Sequence, residues 1–554
     1  MKYKSTNLFN VLRHRWYLAV SLFTILVYFR VAPLQVDPHH DGVILAAAIA
    51  VSEGHPILSG AFSQYGPLPS LIQGFILWIF NTQLLTLRFL TAVQCLAIGI
   101  ALYHITIVFT TKISARLASF TWLLASCIWV TEFPGSLLPW PSILSTLLSL
   151  LAIIALIKSN EYKNSYFAYI AGILFGFAGF CRIQAFILLP IVVSICLLKF
   201  QSKRRILVLS IAGYLSSVII MFSYLVSTGS ADDFIQQVII TPLFTYSGVG
   251  QGNNYNRFQF ALYIIEAIGF VILFISTKYA IKKIASKFVV VGLVTTAILG
   301  IHGIGNWIAT TTIPIRLKVL IGEPMQNLVI SPFYFSAVIS IFLIISILLN
   351  FRVSDKQFTF PQIVVIACAV GSLPQLYPQA DVMHLWWIAP LLLPCIFLLI
   401  EFLQKDLFQK NNSILQVILI SGMILGSVSA LQFINRPWSE YQLKVLKGTF
   451  AQEEKVRSVA LFNEIDRFAL PGSTSFDCAD GIYSVENGTY LAPDQWFVNW
   501  GFDKATKPRI GTIRVICDKS LSYAKLQSAK LEMPLIYYNL NSQNKSIAIL
   551  SKKE

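Results

Sequence analysis

Long apolar runs recur along this chain, and polar residues fall mainly between them. Runs at 16–31, 88–109, 117–131, 142–157, 166–181, 183–198, 206–227, 260–277, 288–310, 328–349, 359–376, 385–401 and 413–434 each read as a helix crossing a bilayer. Two further pieces, 42–52 and 67–80, fall short of the roughly 20 residues a span needs, which places them as helices lying on the membrane surface. Both belong to one stretch, 32–87, that carries no Lys or Arg. Beyond 434 charges of both signs mix, and short strand-like runs appear at 512–517 and 546–550. The pattern predicts an all-α polytopic membrane protein of about 13 transmembrane helices over 1–434, with a first outer loop at 32–87. A small extracytoplasmic α/β domain follows over 435–554, a length sufficient for an independent fold.

Composition agrees with this reading. Of 554 residues, 56% are hydrophobic and 12% charged. A soluble domain carries about 25% charged residues, so this chain has too little polar surface to cover a soluble body. The first run follows Lys2, Lys4, Arg13 and Arg15 and is shaped like a signal peptide. It lacks a small-residue cleavage site and more spans follow, so it reads as an uncleaved anchor. Six of the eight cysteines lie in or beside apolar runs as packing residues, while Cys478 and Cys517 could pair if the C-terminal part lies outside the cytosol.

The net charge of +16 reflects sidedness rather than a nucleic-acid partner. An odd number of spans puts the termini on opposite sides. With the N-terminus cytoplasmic, the inner segments hold twenty Lys and Arg, and the outer loops hold four: Arg182, Arg257, Arg316 and Lys318. That bias orients the chain in a bacterial inner membrane with its C-terminus outside. There is no P-loop, no Gly-rich dinucleotide fingerprint and no CxxC pair, and no internal repeat of the kind transporters carry.

Candidate chemistry gathers in the outer loops. Asp37-Pro38-His39-His40-Asp41-Gly42 brackets imidazoles between two carboxylates, a set suited to a general base, to a divalent metal, or to both. Asp41 could also simply cap a helix starting near Gly42. Gln64-Tyr65 precedes the turn Gly66-Pro67, which opens the second short helix and could bring polar donors to a sugar or phosphate. Asp381 and His384, three apart, share a helix face, and Trp386-Trp387 beside them fits an interfacial belt or a sugar-stacking platform. Arg182 stands alone between two apolar runs; its partner could be a lipid phosphate, an outer Asp, or carbonyls at a helix end. Arg257 and Arg316 are further outer cations. A Gly- and Asn-rich loop between Asp233 and Gln259 has the length of a lid or a linker.

The order and sidedness of these motifs resemble the GT-C superfamily of integral-membrane glycosyltransferases, in its lipid A aminoarabinose transferase and protein O-mannosyltransferase branches. Asp41-Gly42 stands where those families have an acidic pair. Gly66-Pro67-Leu68 stands where they open a second surface helix, and Gly179-Phe180-Cys181-Arg182 resembles their Gly-rich segment ending in a cation. Asp381 to His384 resembles a Pro-Asp-x-x-His element of some bacterial members. Here Gly42 replaces a frequent second acid, and Gln64-Tyr65 replaces a charged pair.

The resemblance implies transfer of a sugar from a polyprenyl-phosphate carrier to an envelope glycan, lipid or protein, with inversion. In that reading Asp41, with Asp37, serves as the base. Arg182, Arg257 and Arg316 bind the donor phosphate, and His40, Gln64, Tyr65, Asp381 and His384 bind substrate. A divalent metal held by His39 and His40 is conceivable, and nothing in the argument requires one. The rival readings are a lipid-linked polysaccharide polymerase or ligase, and a transporter or flippase. For the last of these, Glu266 is the best midspan acid.

Overall fold

The computed structural model describes residues 21–34, 36, 40–63, 65–80, 83–132, 137–200, 203–240, most of 337–348, 358–376, 382–403, 438–442, 447–451, 473–476, 490–491, 512–517, 519–540 and 546–551. Among these the chain is mostly helical. In chain order the helices are α1 (Ser21–Val31), α2 (His40–Ser52), α3 (Pro67–Phe80), α4 (Leu84–Thr106), α5 (Lys112–Glu132) and α6 (Pro141–Tyr162). They continue as α7 (Ser165–Cys181), α8 (Leu188–Lys199) and α9 (Arg204–Ser227), with a 3-10 turn at Ile183–Ile187 joining α7 to α8. A short helix α10 (Ala231–Phe234) runs into one π-helical turn, Ile235–Ile240. After it come α11 (Phe360–Ser372), extended by a 3-10 turn at Leu373–Leu376, and α12 (Val382–Leu403).

These elements lie where the apolar runs place them, and the second surface helix matches its predicted bounds. Among the described residues three helices, α4, α6 and α9, are long and apolar enough to cross a membrane. The predicted spans 260–277, 288–310 and 413–434 lie outside the described residues.

The bundle is assembled as membrane proteins are, through small residues rather than an apolar stripe. The α7–α9 crossing is the tightest example. A Cβ on Gly172 would come within 1.8 Å of Ser210 O, one on Gly213 within 2.0 Å of Tyr169 O, and one on Gly176 within 1.7 Å of Ser217 Oγ. The backbones touch, and no larger residue fits. The outward faces are apolar instead: Val208, Ile219, Ile220 and Val226 on α9 are exposed, as are Leu22, Leu26 and Phe29 on α1. On α6 the buried face carries Ser142, Ser145, Thr146 and Ser149 at helical spacing. Ser145 Oγ donates to Ala178 O at 2.9 Å, and Thr146 Oγ1 to Trp387 O at 2.7 Å.

Helices α2 and α3 pack as a pair against α4 and α7. They pack on each other at Gly74, where a Cβ would meet Val51 at 2.5 Å, and α3 also leans on α7. The connection between them is pinned across the chain, with Gln237 Nε2 donating to Leu58 O at 3.2 Å and Ser59 Oγ bonding Ser230 Oγ at 2.8 Å. Phe75, Trp78, Ile79 and Phe80 leave an exposed apolar face on α3, which suits a helix resting on lipid.

The C-terminal part contains a hairpin of β1 (Trp438–Gln442) and β2 (Lys447–Ala451). It also contains a five-stranded sheet in the order β4-β3-β5-β7-β6. Its strands are β3 (Ser473–Phe476), β4 (Tyr490–Leu491), β5 (Ile513–Cys517), β6 (Leu535–Leu540) and β7 (Ser546–Ser551). β3 runs parallel to β4 and β5, while β7 lies antiparallel between β5 and β6. Helix α13 (Leu521–Leu531), capped by Ser520 Oγ, covers the sheet through Ala524 and Leu531 against Ile516, Ala548 and Leu550. Strand β4 lies against α2, so the sheet meets the bundle at the helix that carries Asp41.

Candidate active site

Helix α2 begins at His40, which puts Asp41 inside the first turn rather than at the N-cap. The capping role considered for Asp41 is therefore not the one it plays. Its carboxylate is fully buried, and Oδ2 accepts from Arg88 Nη2 at 2.5 Å. Arg88, in the second turn of α4, also donates through Nη1 to Ala32 O at 2.8 Å and Leu34 O at 2.7 Å. One guanidinium thus ties the end of α1, the start of α2 and the head of α4 around a single carboxylate. Sequence reasoning passed over Arg88. The available signal was its position, as the first cation after a stretch of 32–87 with none, set at the head of an apolar run. A charge there is expensive unless it is paired.

The second buried charge is Arg182, which follows the last residue of α7 with extended backbone. Its side chain is 2% exposed. Nη1 donates to Ser142 Oγ at 2.5 Å and Nη2 to Gln375 O at 3.1 Å, and the guanidinium carbon sits 5.1 Å from the centre of the Trp387 ring. The carbonyl at a helix end, one of the partners foreseen for Arg182, is thus present as Gln375 O. Arg182 gathers α6, the turn after α11, and α12. Ser142 opens the Ser/Thr stripe on α6, a periodic signal that was readable in the sequence.

The two glycine motifs meet here. A Cβ on Gly66 would fall 1.9 Å from Phe180 O, and one on Gly179 would fall 2.2 Å from the Phe186 ring. Gly66 therefore serves more than a turn. It lets the segment before α3 lie against the backbone that delivers Arg182.

Aromatic rings connect the two charged sites. His40 and Tyr65 each contact Trp140 edge-on at 5.1 Å. Trp140 stacks on Trp387 at 5.5 Å with 17° between planes, and His384 meets Trp387 at 4.8 Å. The path runs from His40, the neighbour of Asp41, through Trp140 to Trp387, the ring beneath Arg182. Each indole is fixed by its backbone. Pro141 at the first position of α6 and the Gln73 Nε2 bond to Pro139 O at 2.7 Å set Trp140, and Thr146 sets Trp387.

Trp386 points elsewhere, stacking on Trp122 at 5.1 Å, whose Nε1 donates to Cys95 O. Trp386 and Trp387 are buried at 2% and 4% exposure. That goes against the interfacial-belt reading, because α12 packs on α4, α5, α6 and α11 and both indoles are buried among the helices.

The structure therefore brings together His40, Tyr65, Arg182 and His384 through Trp140 and Trp387, with Asp41 next to His40 along α2. Asp37, His39, Gln64, Arg257, Arg316, Lys318, Asp381 and Glu266 lie outside the described residues, as do the lid segment 241–259 and, through Cys478, the Cys478–Cys517 pairing. Among the described residues no three His, Cys, Asp or Glu side chains converge as a metal site.

No protein-family model matches the chain, and no curated protein sequence matches it. Solved structures do. The chain resembles an oligosaccharyltransferase of Archaeoglobus fulgidus, in a structure with zinc and sulfate, at 12% identity and a TM-score of 0.51, covering 97% of this chain and 73% of that one. ArnT from Cupriavidus metallidurans bound to undecaprenyl phosphate matches at 10% identity and a TM-score of 0.45, over 96% of this chain and 98% of that one. At such identities the likeness is one of architecture. What it shows is a shared fold with the Archaeoglobus fulgidus oligosaccharyltransferase.

Proposed function

We propose that this protein is a membrane glycosyltransferase that takes a sugar from a polyprenyl-phosphate carrier and passes it to an envelope acceptor on the outer side of the bacterial inner membrane. The observation that carries the reading is the pair of buried charged sites, Asp41–Arg88 and Arg182, joined by the His40–Trp140–Trp387 path. Transfer from a lipid phosphate needs a base for the acceptor hydroxyl and a fixed cation for the departing phosphate. It needs them on opposite sides of one sugar ring. Asp41 supplies the base, oriented by Arg88. Arg182 supplies the cation, its plane set by Ser142 and Gln375 before any donor arrives. Outside the cytosol nucleotide sugars are scarce, and an apolar bundle offers a natural berth to a prenyl chain.

In a single displacement the acceptor oxygen attacks the anomeric carbon, its proton passes to Asp41, and the carbon–oxygen bond to the phosphate breaks, so the anomeric configuration inverts. The test is turnover of purified protein with undecaprenyl-phosphate sugars. Asp41→Asn should lose on the order of a hundredfold or more in rate with the donor still bound. Full turnover in that variant removes Asp41 as the base. Arg182→Ala should weaken donor binding more than acceptor binding, and an unchanged donor affinity removes the phosphate role.

A further inference from the structure

Two polar side chains belonging to the Arg182–Trp387 unit have hydrogen-bonding capacity that no described residue uses. Gln375 is fully buried, and its backbone oxygen accepts from Arg182. Neither atom of its carboxamide has a hydrogen-bond partner among the described residues. Trp140 is 4% exposed, stacks on Trp387, and its Nε1–H likewise has no partner among the described residues. Native interiors satisfy nearly all such groups, and one left over calls for an explanation. Here one occurs on the residue whose carbonyl accepts from Arg182, and one on the indole stacked on Trp387, the ring beneath that guanidinium. Their burial is not forced by the fold, because Leu or Met at 375 and Phe at 140 would fill similar volume without a desolvation cost.

The chemistry of the unused atoms narrows the ligand. A phosphate offers only acceptors, so it could satisfy the indole N–H and the carboxamide N–H but would leave the carboxamide oxygen unpaired. A sugar hydroxyl both donates and accepts, and two adjacent hydroxyls match the two ends of a carboxamide.

Resting on the glycosyltransferase reading above, we infer that Gln375 and Trp140 read the hydroxyls of the donor's sugar. Arg182, held by the same turn, takes the phosphate that carries it. Gln375 is then the residue that chooses the sugar. The 3-10 turn Leu373–Leu376 that closes α11 carries Gln375 and, through its backbone oxygen, accepts from Arg182.

The experiment measures binding of undecaprenyl phosphate and of undecaprenyl-phosphate glucose, mannose, galactose and arabinose to the full-length wild type, Gln375→Leu and Trp140→Phe, together with thermal unfolding of each without lipid. The expected result is that Gln375→Leu unfolds at the same temperature or higher, since it removes an unsatisfied group. It should bind undecaprenyl phosphate as the wild type does. It should lose roughly tenfold or more in affinity for the preferred sugar-linked lipid, flattening the preference among sugars. Trp140→Phe should show the same pattern more weakly.

A lower unfolding temperature for Gln375→Leu means a structural partner and overturns the inference. So does an equal loss for lipid with and without sugar, which would make Gln375 a phosphate anchor. Unchanged affinity for every lipid overturns it too, as does a wild type that binds no sugar-linked lipid more tightly than undecaprenyl phosphate. A wild type that binds no undecaprenyl phosphate at all strikes instead at the glycosyltransferase reading.

Discussion

A buried carboxylate and a buried guanidinium each cost several kcal/mol to desolvate, and the cost is offset only while both are present. Asp41 and Arg88 are in that position, with Arg88 further held by Ala32 O and Leu34 O. Arg88→Met should leave the buried Asp41 carboxylate without its guanidinium partner and destabilise by about 3–5 kcal/mol. Asp41→Leu with Arg88→Met should recover most of that stability while turnover stays lost. Thermal unfolding in detergent and a turnover assay on the three variants check both halves; a double variant as unstable as the single one would mean the pair is not a closed unit. Half of this site was legible in the sequence. Asp41 and Arg182 announce themselves as polar residues where apolar ones are expected. Arg88, Gln375 and Trp140 do not, because their importance comes from contacts spanning 47 residues (Asp41–Arg88) and 193 residues (Arg182–Gln375), which no local pattern encodes.

Helix positions were readable because a span must be long and apolar, and the order of α4 through α9 follows directly from that requirement. How the helices touch was not readable, because in lipid the contacts are made by small residues whose spacing resembles chance. The α7–α9 crossing makes the point and offers a test. A Cβ at Gly176 meets chiefly one side-chain atom, Ser217 Oγ, whereas a Cβ at Gly172 meets the backbone of Ser210 and Tyr214. Overpacking of this kind costs about 1–3 kcal/mol. Gly176→Ala should therefore destabilise, and Ser217→Gly in the same chain should restore most of the loss, since the obstructing atom is gone. Gly172→Ala should destabilise at least as much, and no side-chain change on α9 should rescue it. Unfolding midpoints in one detergent give the comparison. Rescue of both glycine variants by α9 side-chain truncation would show that the two backbones are not in contact.

At the scale of the whole molecule, the sheet and the bundle constrain each other. Strand β4 lies against α2, and α2 carries Asp41, so the C-terminal sheet and the candidate active site must occupy the same side of the membrane. The positive-inside bias bears on the side taken by 32–87, the segment that contains α2. The basic head of α9, with Arg204 and Arg205 exposed, belongs to the cation-rich side, and 32–87, with no Lys or Arg, belongs to the other. The two statements can be tested together. Cysteines placed at the exposed positions Lys519 and Arg205 should label oppositely in intact cells with a membrane-impermeant maleimide: Lys519→Cys readily, Arg205→Cys only after the membrane is opened. Labelling of both before opening would break the span parity. The reverse pattern would turn the protein over, placing Asp41 and Arg182 in the cytosol, where nucleotide sugars are available and the case for a lipid-phosphate donor loses its physical ground.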